Sequence, residues 1–296
     1  MRSSQYTIAT PVFLKGFGYW GGQDVQVSLY PAAVDTGVVF RRTDLAGSAP
    51  IPGKIRYRSE SPHRTTLVAP DHSGASVGMV EHLLAALTGL GIDNVEIHCD
   101  APELPGLDGS SLPIVNALRK AGRISQSTPL KRRWLRRTVR IGDGNAWIEG
   151  TPIRPGEDSR YRYEIHYGPD SPIRSSVFSY SLDQENFETE VSPARTFILL
   201  HEAQWLQRNG YCLRVQPTDV LIFDATGPIG GNSLRFPDEC ARHKLLDLIG
   251  DLSLAGHGLT GAFSAYRSGH ELNAAFVREI LSRETELLAD TPEEVT

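Results

Sequence analysis

Cysteine is scarce in this chain of 296 residues, and the few cysteines present do not form a recognisable framework. Cys99, Cys212 and Cys240 are odd in number, far apart and without CxxC spacing. That pattern argues against a set of disulfides and against an all-thiolate metal site. The sequence also lacks any apolar run of 18 residues, and its first residues contain no uninterrupted hydrophobic segment. We therefore expect neither a transmembrane helix nor a signal peptide, and a cytoplasmic location.

An excess of positive charge is also missing. The chain carries 30 lysines and arginines against 35 aspartates and glutamates, which gives a net charge of −5. This balance argues against a dedicated nucleic-acid-binding protein but allows an anionic small molecule held by a few local cations. The basic run from Lys131 to Arg137 is interpreted as a solvated strand edge. Attraction of this run to an anionic membrane surface is the alternative, so we expect at most peripheral membrane contact.

The order of the predicted elements indicates an α+β fold. A hydrophobic content of 40% and a charged content of 22% are typical of globular proteins. Each half reads as several short strands followed by a helix, which predicts two domains of similar topology, each with a mainly antiparallel sheet. The predicted organisation is an N-terminal domain at 1–126, a linker at 127–134, a C-terminal domain at 135–290 and a tail at 291–296. Helices are predicted at 76–90, 113–121, 239–254 and 271–288.

One helical stretch carries the pattern of a metal site. In ECARHKLLDLIGDLSL, which begins at Glu239, the residues His243, Asp247 and Asp251 fall four apart on one face, and leucines fill the other. A histidine and an aspartate at i and i+4 are close enough to share one ion. Taken alone, the motif is far more often an ordinary amphipathic helix whose polar face meets water.

A weak internal echo of this stretch occurs earlier in the chain. EHLLAALTGLG, beginning at Glu81, and RHKLLDLIGDL, beginning at Arg242, both place a histidine just inside a leucine-rich helix that contains glycine. If the two halves pack helix against helix, His82 and His243 meet at the interface. A buried core histidine and a first-turn acid favoured by the helix dipole are the structural alternatives for His82 and Glu81.

Several blocks, in order, resemble one enzyme family, the UDP-3-O-acyl-N-acetylglucosamine deacetylases. These are zinc amidohydrolases of lipid A biosynthesis, which act on a small acylated UDP-amino sugar. The resemblance covers about residues 5–288, and the HKxxD and SGH blocks are specific to the family. The blocks are FRRTDL, VEHLLAALTGLGIDN, DAPELPGLDGSS, ARTF, RHKLLDLIGDL and GAFSAYRSGHELN.

The resemblance implies a metal centre with an acid–base pair. His82, His243 and Asp247 are expected to bind one Zn²⁺, with Fe²⁺ able to occupy the same ligands. Glu81 is expected to act as the general base, and His270 to stabilise the oxyanion or to protonate the leaving amine. The other implied roles are orientation of His270 by Asp251, oxyanion donation by Thr196 and Lys244, contact with the sugar or nucleotide by Phe197, and contact with the diphosphate by Arg267.

Three positions depart from the family pattern, so the sequence leaves the identity of the substrate open. Tyr19 lies in Gly-Tyr-Trp-Gly-Gly, where the family has Gly-Leu-His-Thr-Gly. Arg214 begins Arg-Val-Gln, where a glycine pair and a serine are usual, and Met79 replaces a threonine. The alternatives are the same zinc chemistry on a different N-acyl amino sugar, or a non-catalytic sugar-nucleotide-binding paralogue. We expect a monomer and no nucleic-acid partner.

Overall fold

Twenty-one strands and six helices are found in the described part of the chain. The computed structural model describes residues 3–61, 63–183, 186–256 and 258–290, so the tail predicted at 291–296 lies outside the described residues. The helices are α1 (Glu81–Leu90), α2 (Leu112–Ala121), α3 (Leu200–Arg208), α4 (Glu239–Leu252), α5 (His270–Ser282) and α6 (Glu284–Leu287). The strands are β1 (Ser4–Ile8), β2 (Val12–Phe17), β3 (Asp24–Pro31), β4 (Val38–Arg42), β5 (Ile51–Pro52), β6 (Arg58–Ser59), β7 (Thr66–Val68), β8 (Ser76–Gly78), β9 (Val95–Cys99), β10 (Arg123–Pro129), β11 (Arg132–Leu135), β12 (Val139–Gly142), β13 (Trp147–Thr151), β14 (Arg160–Ile165), β15 (Ser176–Ser181), β16 (Phe197–Leu199), β17 (Leu221–Asp224), β18 (Gly227–Pro228), β19 (Gly258–Thr260), β20 (Ala262–Tyr266) and β21 (Leu288–Ala289).

Two five-stranded sheets have the same strand order and directions. The first runs β2-β3-β9-β4-β5 and the second β12-β13-β20-β14-β15. In each, one internal pair is parallel, β4 with β9 and β14 with β20, and the other pairs are antiparallel. Helix α1 precedes β9 as α4 precedes β20, and α2 and α5 follow those strands. The predicted α+β class with two units of like topology is confirmed.

Each unit also carries a small three-stranded insertion just before its central helix. The first consists of β6, β7 and β8, and the second of β16, β17 and β18. The first insertion leads towards the N-terminal end of α1 and the second towards that of α4. Residues from both insertions line one cavity beside these helices.

Helices α1 and α4 pack against each other at the centre of the molecule. Both belong to one continuous apolar core that draws residues from both sheets. Gly250 on α4 permits the close approach, because a Cβ there would lie 2.2 Å from the carbonyl oxygen of Glu81. The packing places the start of α1 beside the C-terminal half of α4.

The predicted helix boundaries need three corrections. The first helix starts at Glu81 and not at residue 76, because Ser76–Gly78 pairs with β7 and Met79 has a left-handed φ of 56°. The central helix ends at Leu252, after which Ser253–Ala255 forms a 3₁₀ turn. The last predicted helix is divided into α5 and α6, and the chain then turns into β21.

The segment predicted as a linker contains regular structure. It includes the end of β10, which pairs with β1, and most of β11, which pairs with β19 and β21. The division into domains at 1–126 and 135–290 stays a prediction. Among the described residues, no helix has the length and apolarity needed to cross a membrane.

Replacing Gly250 with alanine is expected to lower the free energy of unfolding by about 1–3 kcal/mol, because the added methyl group overpacks the contact with the Glu81 backbone. Thermal or denaturant unfolding measures the change. Gly144→Ala is the matched control, since a Cβ at Gly144 meets nothing within 4 Å. Equal stability of the two variants would contradict the close helix crossing.

Candidate metal centre and active site

Two imidazoles and one carboxylate converge where α1 crosses α4. His82 is the second residue of α1, and His243 and Asp247 lie one turn apart on α4. Asp247 Oδ1 lies 3.6 Å from His82 Nε2 and 3.5 Å from His243 Nε2. The three ligand atoms lie within 4.8 Å of one another, and all three residues are buried. The pattern of i and i+4 on α4 and the helix crossing together build this group.

The unsatisfied oxygen of Asp247 shows that this group fits a divalent cation. Asp247 Oδ1 is buried and has no hydrogen-bond partner among the described residues, although a buried carboxylate oxygen normally has one. Donors around a tetrahedral zinc with bonds of about 2.0–2.1 Å lie roughly 3.3–3.5 Å apart, close to the observed spacing. Two nitrogens and one oxygen leave a fourth position for a water or substrate oxygen.

His243 has the tautomer and charge that a metal ligand needs. Its Nδ1 lies 3.1 Å from the carbonyl oxygen of Ala194, so Nδ1–H donates and Nε2 faces the centre with a free lone pair. Burial lowers the pKa of His243 to about 4, so the imidazole is neutral near pH 7. The loop before β16 thus orients the ring through a hydrogen bond to the backbone.

Lys244 is paired with the second oxygen of the same carboxylate. Its Nζ donates to Asp247 Oδ2 at 2.7 Å. Burial raises the pKa of Asp247, but the Lys244 ammonium and His243 outweigh it and hold that pKa well below its usual range. Burial lowers the pKa of Lys244, and Asp247 more than reverses that shift. The carboxylate is therefore charged, with one oxygen held by lysine and one left for a cation.

Two further buried ionisable residues, Glu81 and His270, border the three candidate ligands. His270 Nε2 lies 4.0 Å from Glu81 Oε1 and 3.9 Å from Asp247 Oδ2, and His270 Nδ1 lies 2.9 Å from Asp251 Oδ2. Burial raises the pKa of Glu81 above its ordinary value. Burial alone lowers the pKa of His270, but Asp251 reverses the effect and the pKa rises to about 9. The site therefore combines a carboxylate of raised proton affinity with an imidazolium.

A cavity of about 620 Å³ leads away from the ligands between the two insertions. The three candidate ligands, Glu81 and His270 line it, and most of its other lining residues are apolar. A small separate apolar cluster forms one wall of it. The buried members of this cluster are Tyr19, Met79, Val215, Val220 and Ile222. A second cavity, of about 720 Å³, contains none of the site residues.

The chain matches a family model described as LpxC, UDP-3-O-acyl N-acetylglycosamine deacetylase, over residues 5–282. The chain belongs to this family.

Relatives named UDP-3-O-acyl-N-acetylglucosamine deacetylase are similar over nearly the whole length. The protein from Psychrobacter cryohalolentis is 38% identical over 282 residues, 94% of this chain and 86% of the relative. The proteins from Brucella ovis and Brucella canis are each 38% identical over 289 residues, 96% of this chain and 98% of the relative.

The substrate-binding candidates of this deacetylase-family chain differ in where they lie. Thr196 and Phe197 line the cavity, and the Phe197 ring meets the His243 ring edge-on with centroids 6.1 Å apart. Tyr167, which the sequence did not single out, also lines the cavity, and its ring packs edge-on against Phe197. Arg267 is exposed on the turn between β20 and α5, outside the residues that line the cavity.

The two altered family segments contact each other at the cavity wall. Arg214 Nη1 donates to the carbonyl oxygen of Gly22 at 2.6 Å and to Asp24 at 2.8 Å. The Tyr19 hydroxyl donates to the carbonyl oxygen of Asp219 at 2.8 Å. Because these bonds join the N-terminal turn to the second insertion, the departures from the family pattern form one linked change in the cavity wall.

Proposed function

We propose that this protein is a metal-dependent deacetylase that hydrolyses the acetamide of a UDP-3-O-acyl-N-acetylglucosamine and releases acetate, a reaction of lipid A biosynthesis. The observation that carries the proposal is the convergence of His82, His243 and Asp247 beside a glutamate–histidine pair, with Asp247 Oδ2 3.9 Å from His270 Nε2. The apolar cavity beside them fits the acylated substrate named for the relatives. A cytoplasmic location and a monomeric state stay predictions.

His82, His243 and Asp247 are the proposed ligands of one Zn²⁺. Two neutral imidazoles and a carboxylate suit zinc, and Fe²⁺ accepts the same donors. The bound ion supplies Lewis acidity, which makes a water molecule more acidic and polarises the amide carbonyl. Lys244 keeps the carboxylate ionised, and the Ala194 carbonyl keeps the His243 lone pair directed at the ion.

Glu81 and His270 divide the proton transfers. Glu81 accepts a proton from the attacking water, for which its raised pKa is suited. His270, held as imidazolium by Asp251, first stabilises the charge on the tetrahedral oxygen and then donates a proton to the leaving amine. The C–N bond breaks as the amine takes that proton, so acetate and the free amino sugar leave.

The remaining roles follow from the position of each side chain. Thr196 at the cavity wall is proposed to donate to the tetrahedral oxygen, as is Lys244 through an N–H not used by Asp247. Phe197 is proposed to lie against the sugar or the nucleotide. Arg267, exposed at the rim, is proposed to meet the diphosphate, since a guanidinium matches phosphate geometry.

Acetate release from the UDP-linked acyl sugar, measured with zinc-loaded protein, tests the function. We expect turnover of this substrate to exceed turnover of simpler N-acetyl sugars. Faster turnover of a simpler sugar would identify an amidohydrolase of a different substrate. Tight binding of the nucleotide sugar with no acetate released at saturating zinc would identify a binding protein.

Asp251→Asn is expected to move the alkaline limb of the kcat/KM profile to lower pH. The Asp251 carboxylate opposes the burial of His270 and raises its pKa to about 9, so removing the charge lowers that pKa and deprotonates the acid earlier. The acid limb, set by Glu81, should stay. A pH profile checks this against Asp143→Asn, an exposed control. An unmoved alkaline limb would contradict the role of Asp251.

A further inference from the structure

Thr65 contacts both partners of the acid–base machinery, although its sequence context, HRTTLV, carries no motif. It lies just before β7 and is fully buried. Its backbone N–H donates to Glu81 Oε2 at 3.0 Å, and its hydroxyl donates to Asp251 Oδ1 at 2.6 Å. Its carbonyl oxygen accepts from Val80 N–H at 3.3 Å, immediately before α1. One residue therefore joins the start of α1 to α4.

The hydrogen bond from the Thr65 hydroxyl reaches the Asp251 carboxylate at the oxygen that is not bonded to His270. Asp251 Oδ2 accepts from His270 Nδ1 and from Asn273 Nδ2, both at 2.9 Å, and Oδ1 accepts from the Thr65 hydroxyl. With donors on both oxygens, the carboxylate cannot rotate about its last bond without losing a buried hydrogen bond. The hydrogen bond from Thr65 to Oδ1 therefore fixes the direction in which Oδ2 faces His270.

We propose that Thr65 is a positioning residue that fixes Glu81 and His270 relative to each other, holding the first through its backbone N–H and the second through its hydroxyl and Asp251. The proposal deepens the deacetylase function above and rests on it. Its chemistry requires the base and the acid to act in turn on the same amide group, so their separation must persist through the reaction. A purely structural Thr65 would instead fasten the β7–β8 hairpin to α1 through its backbone.

Thr65→Val separates these two roles, because valine keeps the shape and the backbone bonds and removes only the hydroxyl. In the zinc-loaded enzyme we expect kcat to fall about 10- to 100-fold, the size of losing one hydrogen bond to a charged group, with KM and zinc content unchanged. Thr65→Ser restores the hydroxyl and should recover most of kcat. Thr65→Ala provides a second variant without the hydroxyl if valine lowers the yield of folded protein.

Thr66→Val is the matched control. Thr66 is the neighbouring residue of the same type, and its buried Oγ1 has no hydrogen-bond partner among the described residues. Successive residues of a strand point to opposite sides, so this change does not reach Asp251. We expect its kcat, KM and zinc content to match the wild type.

A spectroscopic readout tests the same contact without substrate. The Nδ1 proton of His270, assigned by its loss in Asp251→Asn, should give a low-field resonance in the NMR spectrum of the zinc-loaded protein. Removing the Thr65 hydroxyl leaves the Asp251 charge shared among fewer donors, so this resonance should move further downfield in Thr65→Val. The resonance should return to its wild-type position in Thr65→Ser and should not move in Thr66→Val.

The two readouts separate failure of this inference from failure of the proposed function. If the wild type releases no acetate, the proposed deacetylase function is wrong. The shift of the resonance in Thr65→Val then tests the Thr65 contact on its own. An unmoved resonance in Thr65→Val overturns the proposal in either case. An active wild type with an unchanged kcat in Thr65→Val overturns it as well, as does a loss that Thr65→Ser fails to restore.

Discussion

Replacing Glu81 with glutamine is expected to lower kcat about 10²–10⁴-fold, the usual contribution of a positioned general base. The amide has nearly the same shape and can still accept the hydrogen bond from Thr65 N–H, but it cannot take a proton from water. Because Glu81 is not one of the proposed ligands, zinc content should remain at one ion per chain. KM should change little, since the lost interaction belongs to the transition state.

Steady-state acetate release and zinc content of the same preparation measure these quantities. Glu149→Gln is the control, because Glu149 is a half-buried strand residue that pairs with Arg140 and does not line the cavity. A Glu81→Gln enzyme with near-normal kcat would assign the base elsewhere. Loss of zinc together with kcat would instead make Glu81 part of the metal site.

Asp247→Ala is expected to abolish both metal binding and turnover. The substitution removes one of the three proposed ligands and leaves the Lys244 ammonium, formerly paired at 2.7 Å, facing the ion. Loss of an outer partner of a metal ligand already costs about 10–100-fold in metal affinity, and loss of the ligand itself should cost more. The zinc affinity of the purified variant and its acetate release at several zinc concentrations check this expectation.

Asp170→Ala controls for the loss of a carboxylate, since Asp170 is exposed on the loop after β14. Asp247→Asn keeps the shape of the side chain and tests the charge alone. It should bind zinc more weakly than the wild type, because a neutral amide neither attracts the ion nor pairs with Lys244. Full zinc binding by Asp247→Ala would refute the ligand assignment.

The part of the site that lies along one helix could be predicted from sequence, because helical register is a local property. The spacing of His243 and Asp247 places both side chains on one face whatever surrounds them. The similarity between the stretches at Glu81 and Arg242 also led to the prediction that the helix carrying His82 packs against the helix carrying His243. Two units of like topology explain why such an echo exists at all.

Contacts made across the fold could not be predicted in the same way. Ser76–Gly78 continues the small, apolar pattern of the following helix, and only its pairing with β7 makes it a strand. Thr65 belongs to that same hairpin, so its contact with Asp251 depends on a pairing that the local pattern does not show. The bond between Arg214 and Gly22 likewise joins segments distant in the chain.

Zinc titration of metal-free protein is the most direct test of the central claim, that His82, His243 and Asp247 hold the ion on which deacetylation depends. Zinc is removed with a chelator and returned in known amounts while acetate release is followed. We predict no release without metal and a linear rise that levels off at one zinc per chain, absent in Asp247→Ala. Acetate release from the metal-free protein, or a rise that Asp247→Ala shares, would contradict the account.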